Sequence, residues 1–162
     1  MLRTLDLALL RLLRTRLHGP QIEPAVLAFT RAGEHGALWL AICLVGSLRD
    51  PRRRALYRHA AVTVVAAYLL NIVLKNVFRR RRPLIEELPS LSTTVTALSY
   101  PSAHATTSFA AARVLSRELP GRPLYACAIA MGLSRPYAGV HYPSDIAAGA
   151  LLGTAVADLL SP

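Results

Sequence analysis

Residues 55–78 read ALYRHAAVTVVAAYLLNIVLKNVF, and no charge interrupts them between His59 and Leu74. The run holds neither proline nor glycine and reads as one helix. A bilayer crossing needs about 18 or more apolar residues. No segment of the chain reaches that length without a charge. The charges here flank the apolar stretch, and arginine can extend from a helix end to the lipid headgroups. Lys75 lies near the end of this helix. It is the single lysine among nineteen basic residues, which points to a position that wants a compact ammonium rather than a guanidinium fork.

Working outward, Arg49-Asp50-Pro51-Arg52-Arg53-Arg54 is a short basic loop. Residues 25–48 before it are apolar except for Arg31, Glu34 and His35. Ala37 to Leu48 is expected to be buried, and Gly33 and Gly36 can divide the segment in two. His18-Gly19-Pro20 breaks a first helix, on which Arg3, Arg11 and Arg14 share one arc and leucines cover the rest. Residues 1–18 are therefore expected to form an amphipathic interfacial helix in the headgroup layer. They lack the clean apolar core and cleavage site of a signal peptide. Downstream, Pro83, Pro89 and Pro101 make the connection from Arg79 to Pro101 irregular. Helices are predicted over Ser102 to Leu119, Pro123 to Tyr137 and Ser144 to Leu160. Gly149 and Gly153 form a G-x-x-x-G pair that suits packing within the bundle as well as between copies, so it leaves the oligomeric state open. The expected fold is all-α, a single membrane domain over residues 1–162. It comprises an integral helical bundle of about five short transmembrane helices over residues 24–160, plus the N-terminal interfacial helix.

Composition agrees. The chain is 53% hydrophobic and yet carries a net charge of +10. Basic charge alone would suggest nucleic acid. The apolar content and the few aromatics, not interleaved with basic residues, argue against a base-stacking surface, so no nucleic-acid partner is expected. Apolar and basic together describe a membrane protein with arginines at the headgroups. Cys43 and Cys127 sit in apolar helices and lack metal-ligand spacing.

The helix ends carry the chemistry. Lys75 closes one helix, Ser102 and His104 open the next, Arg135 ends another and Asp145 begins the last. Helices that alternate in direction bring these ends to one face. There Lys75, Arg82 and Arg135 can neutralise a phosphate, with arginine suited to bidentate contacts. The helix start at Ser102 and Ala103 is an anion seat, although Ser102 also fits a plain N-cap. His141 is the candidate nucleophile. Asp145, four residues on, can hold one ring nitrogen and leave the other free to attack, although its charge also suits a helix N-terminus in its own right. His104 is the candidate general acid. His35, beside Glu34, can face the same pocket, whereas His18 and His59 read as ordinary surface or helix-end residues. No metal and no cofactor is expected. The two motif histidines lack a carboxylate or thiol set, three cations supply the charge, and Glu86-Glu87 reads as solvated loop.

These residues resemble the type-2 phosphatidic acid phosphatase superfamily, with its pattern K-x6-R-P, P-S-G-H and S-R-x5-H-x3-D. Residues 75–83 fit the first part and residues 134–145 the third. In 101–104 Ala103 replaces the usual glycine, which keeps the backbone N–H. The resemblance covers roughly residues 55–160. It implies a membrane-bound, metal-independent lipid phosphatase acting through a phosphohistidine. In that reading Lys75, Arg82, Ser102, Ala103 and Arg135 bind phosphate, and His141, Asp145 and His104 are catalytic. The compact arginine- and alanine-rich form resembles small bacterial enzymes acting on polyprenyl-linked phosphates or diphosphates, decaprenylphosphoryl-5-phosphoribose among the expected substrates. Phosphatidate and phosphatidylglycerophosphate are the alternatives within this chemistry. A non-catalytic anionic-lipid-binding protein is the alternative outside it. The short, dense loop at Arg49 to Arg54 favours an extracytoplasmic active site in a bacterial plasma membrane.

Overall fold

Most helix boundaries lie at a proline, a glycine or a polar cap. A computed structural model describes residues 2–16 and 18–161, with side chains from residue 4 onward. Among the described residues there are seven α-helices: α1 Leu2–Arg16, α2 Glu23–Ala32, α3 Ala37–Arg49, α4 Arg54–Phe78, α5 Ala103–Leu115, α6 Gly121–Tyr137 and α7 Pro143–Leu159. The predicted break at the two glycines is present. Glu34–Gly36 make one 3-10 turn, in which His35 (φ 54°) and Gly36 (φ 76°) both take left-handed backbone. The connection from α4 to α5 is irregular apart from one antiparallel bridge, Arg81 to Leu98. Helix α5 stops at Leu115 rather than Leu119.

Helix α5 is the centre, with α4, α6 and α7 packed around it. Ten of its thirteen residues are buried, most of them alanine, serine or threonine. Small side chains let backbones approach closely. The glycine pair of α7 extends this. A Cβ at Gly153 would lie 2.1 Å from the Thr106 carbonyl oxygen, and one at Gly149 would lie 2.6 Å from that of Ser102. The G-x-x-x-G pair thus packs α7 onto α5 inside one chain. On the other side Trp39 of α3, fully buried, donates its indole N–H to Ser108 Oγ of α5 at 2.7 Å.

Two expectations about burial are corrected. Only one stripe of Ala37 to Leu48 is buried, at Trp39 and Cys43, whereas Leu44, Val45 and Leu48 are exposed. A helix on the outside of a bundle buries only the face that meets it. The apolar sequence could not say whether protein or some other apolar medium covers the rest. Cys127 is likewise half-buried.

Helix α1 is the second correction. Its buried positions are Asp6, Leu10 and Arg14, each one turn from the next, while Leu5, Leu9 and Leu12 are exposed. Arg14 turns inward, donating to the carbonyls of Tyr137 (3.2 Å) and Pro89 (2.8 Å). The arc expected to be solvated is thus split, with Arg11 outside and Arg14 inside. Arg3 belongs to the same predicted arc, and its side chain lies outside the described residues.

The outer face of α4 is apolar, with Val62, Val65, Leu69, Val73 and Val77 exposed. Among the described residues one helical segment, Pro51–Phe78, is long and apolar enough to cross a membrane, and only 28% of its apolar window is buried. The other helices run from 10 to 17 residues.

Candidate active site

A cavity of about 250 Å³ lies where α4 and α6 finish and α5 begins. Lys75, Arg82, Ala103, His104, Arg135 and His141 all line it. Residues sixty-six positions apart in sequence (75 and 141) therefore share one wall. Ser102 and Asp145 stand behind that wall, both fully buried. The Ser102 N–H donates to the Asp145 carbonyl at 3.0 Å, and its Oγ accepts from the Ala105 N–H, which makes it the N-cap of α5. Ala103 is thus the residue through which the helix start reaches the cavity. The first N–H groups of any helix have no intrahelical partner.

The imidazoles are held in defined tautomers. Nδ1 of His141 faces Asp145 Oδ2 at 3.3 Å, and Nε2 faces Arg82 Nη1 at 3.0 Å. A guanidinium can only donate, so Nε2 carries the lone pair and Nδ1 the proton. The same Oδ2 also accepts from the Tyr142 N–H, at 2.9 Å. His104 lies on the other side. Its Nε2 meets the Thr30 carbonyl at 3.0 Å. A carbonyl only accepts, so Nε2 is protonated and Nδ1 is the position left for proton exchange.

Two of the cations are anchored through backbone oxygens and the third through a threonine hydroxyl. Lys75 Nζ donates to the carbonyls of Ser99 (3.0 Å) and Leu98 (3.3 Å). Arg82 donates to those of Thr96 (2.8 Å) and Val140 (2.7 Å). Arg135 Nη1 donates to Thr30 Oγ1 at 2.8 Å. Thr30 of α2 therefore supports both His104 and Arg135, a role not visible for a threonine in an apolar run.

Arg80 is the other residue the sequence reading missed as part of the site. Its guanidinium joins Asp145 Oδ1 (2.8 Å), Ser144 Oγ (2.7 Å) and Asp6 Oδ2 (2.7 Å), and it stacks 4.0 Å above the Tyr142 ring. Asp6 closes the loop by accepting from the Ser144 N–H at 2.9 Å. Helix α1 is so tied to the carboxylate behind His141. Burial opposes charge on Asp6, but hydrogen bonds from Arg80 and Ser144 outweigh it and hold its carboxyl below the usual range.

The field in the cavity is strongly positive. Burial first, then the charges of Arg82, Lys75 and Arg135, push His141 well below the ordinary imidazole range. It is a neutral base at neutral pH. Burial likewise lowers Arg82 to about 10, which leaves it charged. Of the residues the sequence left open, Glu34 and His35 line the cavity, and Glu86 and Glu87 are exposed in the loop away from its lining. Among the described residues no group of three or more histidine, cysteine or acidic side chains could hold a metal.

The chain that builds this cavity is similar to known proteins. The profile of the PAP2 superfamily matches residues 56–161. Decaprenylphosphoryl-5-phosphoribose phosphatase of Mycobacterium tuberculosis is 39% identical over 142 residues, which is 83% of this chain and 78% of that protein. The crystal structure of Aquifex aeolicus LpxE superposes with a TM-score of 0.83 at 26% identity, covering 96% of this chain and 94% of the other. The transmembrane PAP2-type phosphatidylglycerolphosphate phosphatase of Bacillus subtilis shares the fold with a TM-score of 0.80 at 21% identity, covering 98% and 84%. With its profile spanning most of the chain and its motif residues gathered round one cavity, the protein belongs to the PAP2 superfamily.

Proposed function

We propose that this chain is a membrane-bound phosphatase that hydrolyses a lipid-linked phosphate through a phosphohistidine, with no metal. The convergence of Lys75, Arg82, Arg135, His104 and His141 on one cavity carries the reading. The phosphoryl oxygens take the donors of the three cations and the N–H groups at Ala103 and His104. As Arg82 Nη1 turns to a phosphoryl oxygen, Nε2 of His141 is bared and attacks phosphorus. The ester P–O bond breaks, and the departing oxygen takes from Nδ1 of His104 the proton that this nitrogen has received from the substrate's phosphate monoanion. Asp145 stabilises the positive charge that develops on His141. His104 then accepts a proton from water, whose oxygen attacks the phosphohistidine. The P–N bond breaks, inorganic phosphate leaves carrying the proton held on Nδ1 of His104, and both imidazoles return to their starting state.

The substrate we propose is polyprenyl-linked, of the decaprenylphosphoryl-5-phosphoribose kind that names the 39% identical relative. The exposed apolar faces of α3 and α4 support membrane insertion. Five crossings are proposed: α2 with α3 as one broken span, then α4, α5, α6 and α7. Helix α1 lies in the interface, its exposed Leu5, Leu9 and Leu12 towards the acyl chains. The site faces the extracytoplasmic side.

The test is phosphate release in detergent from farnesylphosphoryl-ribose 5-phosphate, farnesyl phosphate, phosphatidate and phosphatidylglycerophosphate. Release is expected to persist in EDTA and to be inhibited by vanadate. His141→Ala should lower kcat by roughly a thousandfold or more with helicity retained, as for loss of a nucleophile. Full activity in that variant removes His141 from the role.

A further inference from the structure

We infer that Asp6 of α1 is a positioning residue for the reaction, one that gives back to Asp145 the negative charge that Arg80 would otherwise cancel. Asp6 acts in this way only if His141 attacks phosphorus, so the role rests on the phosphatase reading. It extends the site to a helix that precedes the stretch, residues 56–161, matched by the family profile. When Nε2 of His141 bonds to phosphorus, its ring becomes positive. Asp145 Oδ2, 3.3 Å from Nδ1, is the group placed to stabilise that charge. The charges of Arg82, Lys75 and Arg135 already bear on the same ring and oppose it. Arg80 bonds the other oxygen, Oδ1, at 2.8 Å. A guanidinium there neutralises the one carboxylate that His141 has behind it.

Asp6 resolves that conflict. Its Oδ2 meets Arg80 Nη2 at 2.7 Å, so two carboxylates share one guanidinium and one negative charge is left over. Asp145 is fully buried and Asp6 only 3% exposed, where water screens such charges poorly. The position of Asp6 is fixed as well. Oδ1 accepts from the Ser144 N–H at 2.9 Å and Oδ2 from the Ser144 hydroxyl at 2.5 Å, beside Asp145 in the first turn of α7. Burial opposes its charge, but the bonds from Arg80 and Ser144 prevail, so Asp6 is ionised at neutral pH. Holding α1 in place does not need this carboxylate. Leu10 and Arg14, on the same face one and two turns on, are buried too, and Arg14 reaches the carbonyls of Tyr137 and Pro89. An uncharged acceptor would serve the Ser144 N–H equally well and cost less to bury.

The experiment measures kcat and KM on whichever of the four esters named above the wild type hydrolyses best. Asp6→Asn keeps an oxygen for the Ser144 N–H and removes the charge. It should lower kcat by about tenfold with KM little changed, because the loss falls on the transition state. In an Arg80→Gln background there is no guanidinium to offset, so adding Asp6→Asn should cost less than about twofold. That second comparison decides the matter even where Asp6→Asn alone does not fold. Leu10→Ala loosens the same helix and leaves both charges in place, so it should lower the thermal midpoint and keep the kcat of the wild type. Unchanged kcat in Asp6→Asn overturns the proposal. So does an equal loss in both backgrounds, since Asp6 would then act without Arg80. A matching kcat loss in Leu10→Ala also overturns it, by making the seating of α1 the cause. In each of these cases the wild type still releases phosphate, and the phosphatase reading stands. Absence of release from all four esters by the wild type sinks that reading instead.

Discussion

Arg80 and Asp145 show how one guanidinium can set the direction of a base it never touches. The carboxylate of Asp145 divides its oxygens, Oδ2 towards His141 and the Tyr142 N–H, Oδ1 towards Arg80. Arg80 spans Asp145 and Asp6 at 2.8 and 2.7 Å, a geometry that a single ammonium cannot reproduce. Arg80→Lys should lower kcat by about tenfold with KM little changed, because it acts on His141, the proposed nucleophile, rather than on substrate binding. A change confined to KM would contradict that. His141 makes a second prediction. Its pKa in the folded protein is depressed by burial and by the surrounding cations. Acid loss of kcat/KM through His141 should therefore set in well below pH 6.5, the ordinary value, and Arg82→Ala should move it upward. For stability the sign is fixed in the same way. The unfolded chain binds the proton first, so stability contributed by the neutral ring is present above pH 6.5 and falls as pH drops below it. The motif residues were legible because their spacing matches helix ends that must meet. Arg80 was not, because it stands in a run of four arginines and its partner Asp6 is 74 positions away.

At the scale of the element, α5 and α7 explain why small residues crowd the second half of the chain. Their backbones approach so closely that Gly153 has no room for a methyl group against the Thr106 carbonyl. Gly153→Val should destabilise the bundle by several kcal/mol, beyond the usual cost of overpacking, because the obstacle is backbone rather than a flexible side chain. Thermal unfolding in detergent measures this, and an unchanged midpoint would mean that the two helices do not meet there. The proline and glycine breaks located most helix ends correctly, since those residues act locally. Burial was harder to read. Leu44 and Leu48 look like core from sequence, but apolarity alone does not distinguish a protein neighbour from a lipid one. Helix α1 departs from the expectation further, keeping Asp6 and Arg14 inside beside Leu10 while Leu5, Leu9 and Leu12 stay outside.

For the whole molecule, the functional end and the opposite end differ in how their arginines are used. At the functional end Arg14, Arg80 and Arg82 are bound into the fold. At the other end Arg49, Arg52 and Arg54 are exposed around a short loop. A positive cytoplasmic loop fits the usual bias of bilayer topology. In intact cells a cysteine placed at Arg52 should resist an impermeant maleimide, while one placed at Arg81 should react. The reverse pattern would turn the protein over. Trp39 carries one last consequence. It is the chain's only tryptophan, and its indole is bonded to Ser108, one turn along α5 from His104. The protein thus contains its own optical gauge. Emission excited at the red edge comes from a single fluorophore seated just behind His104, so a shift of the central rod on vanadate capture registers without any label.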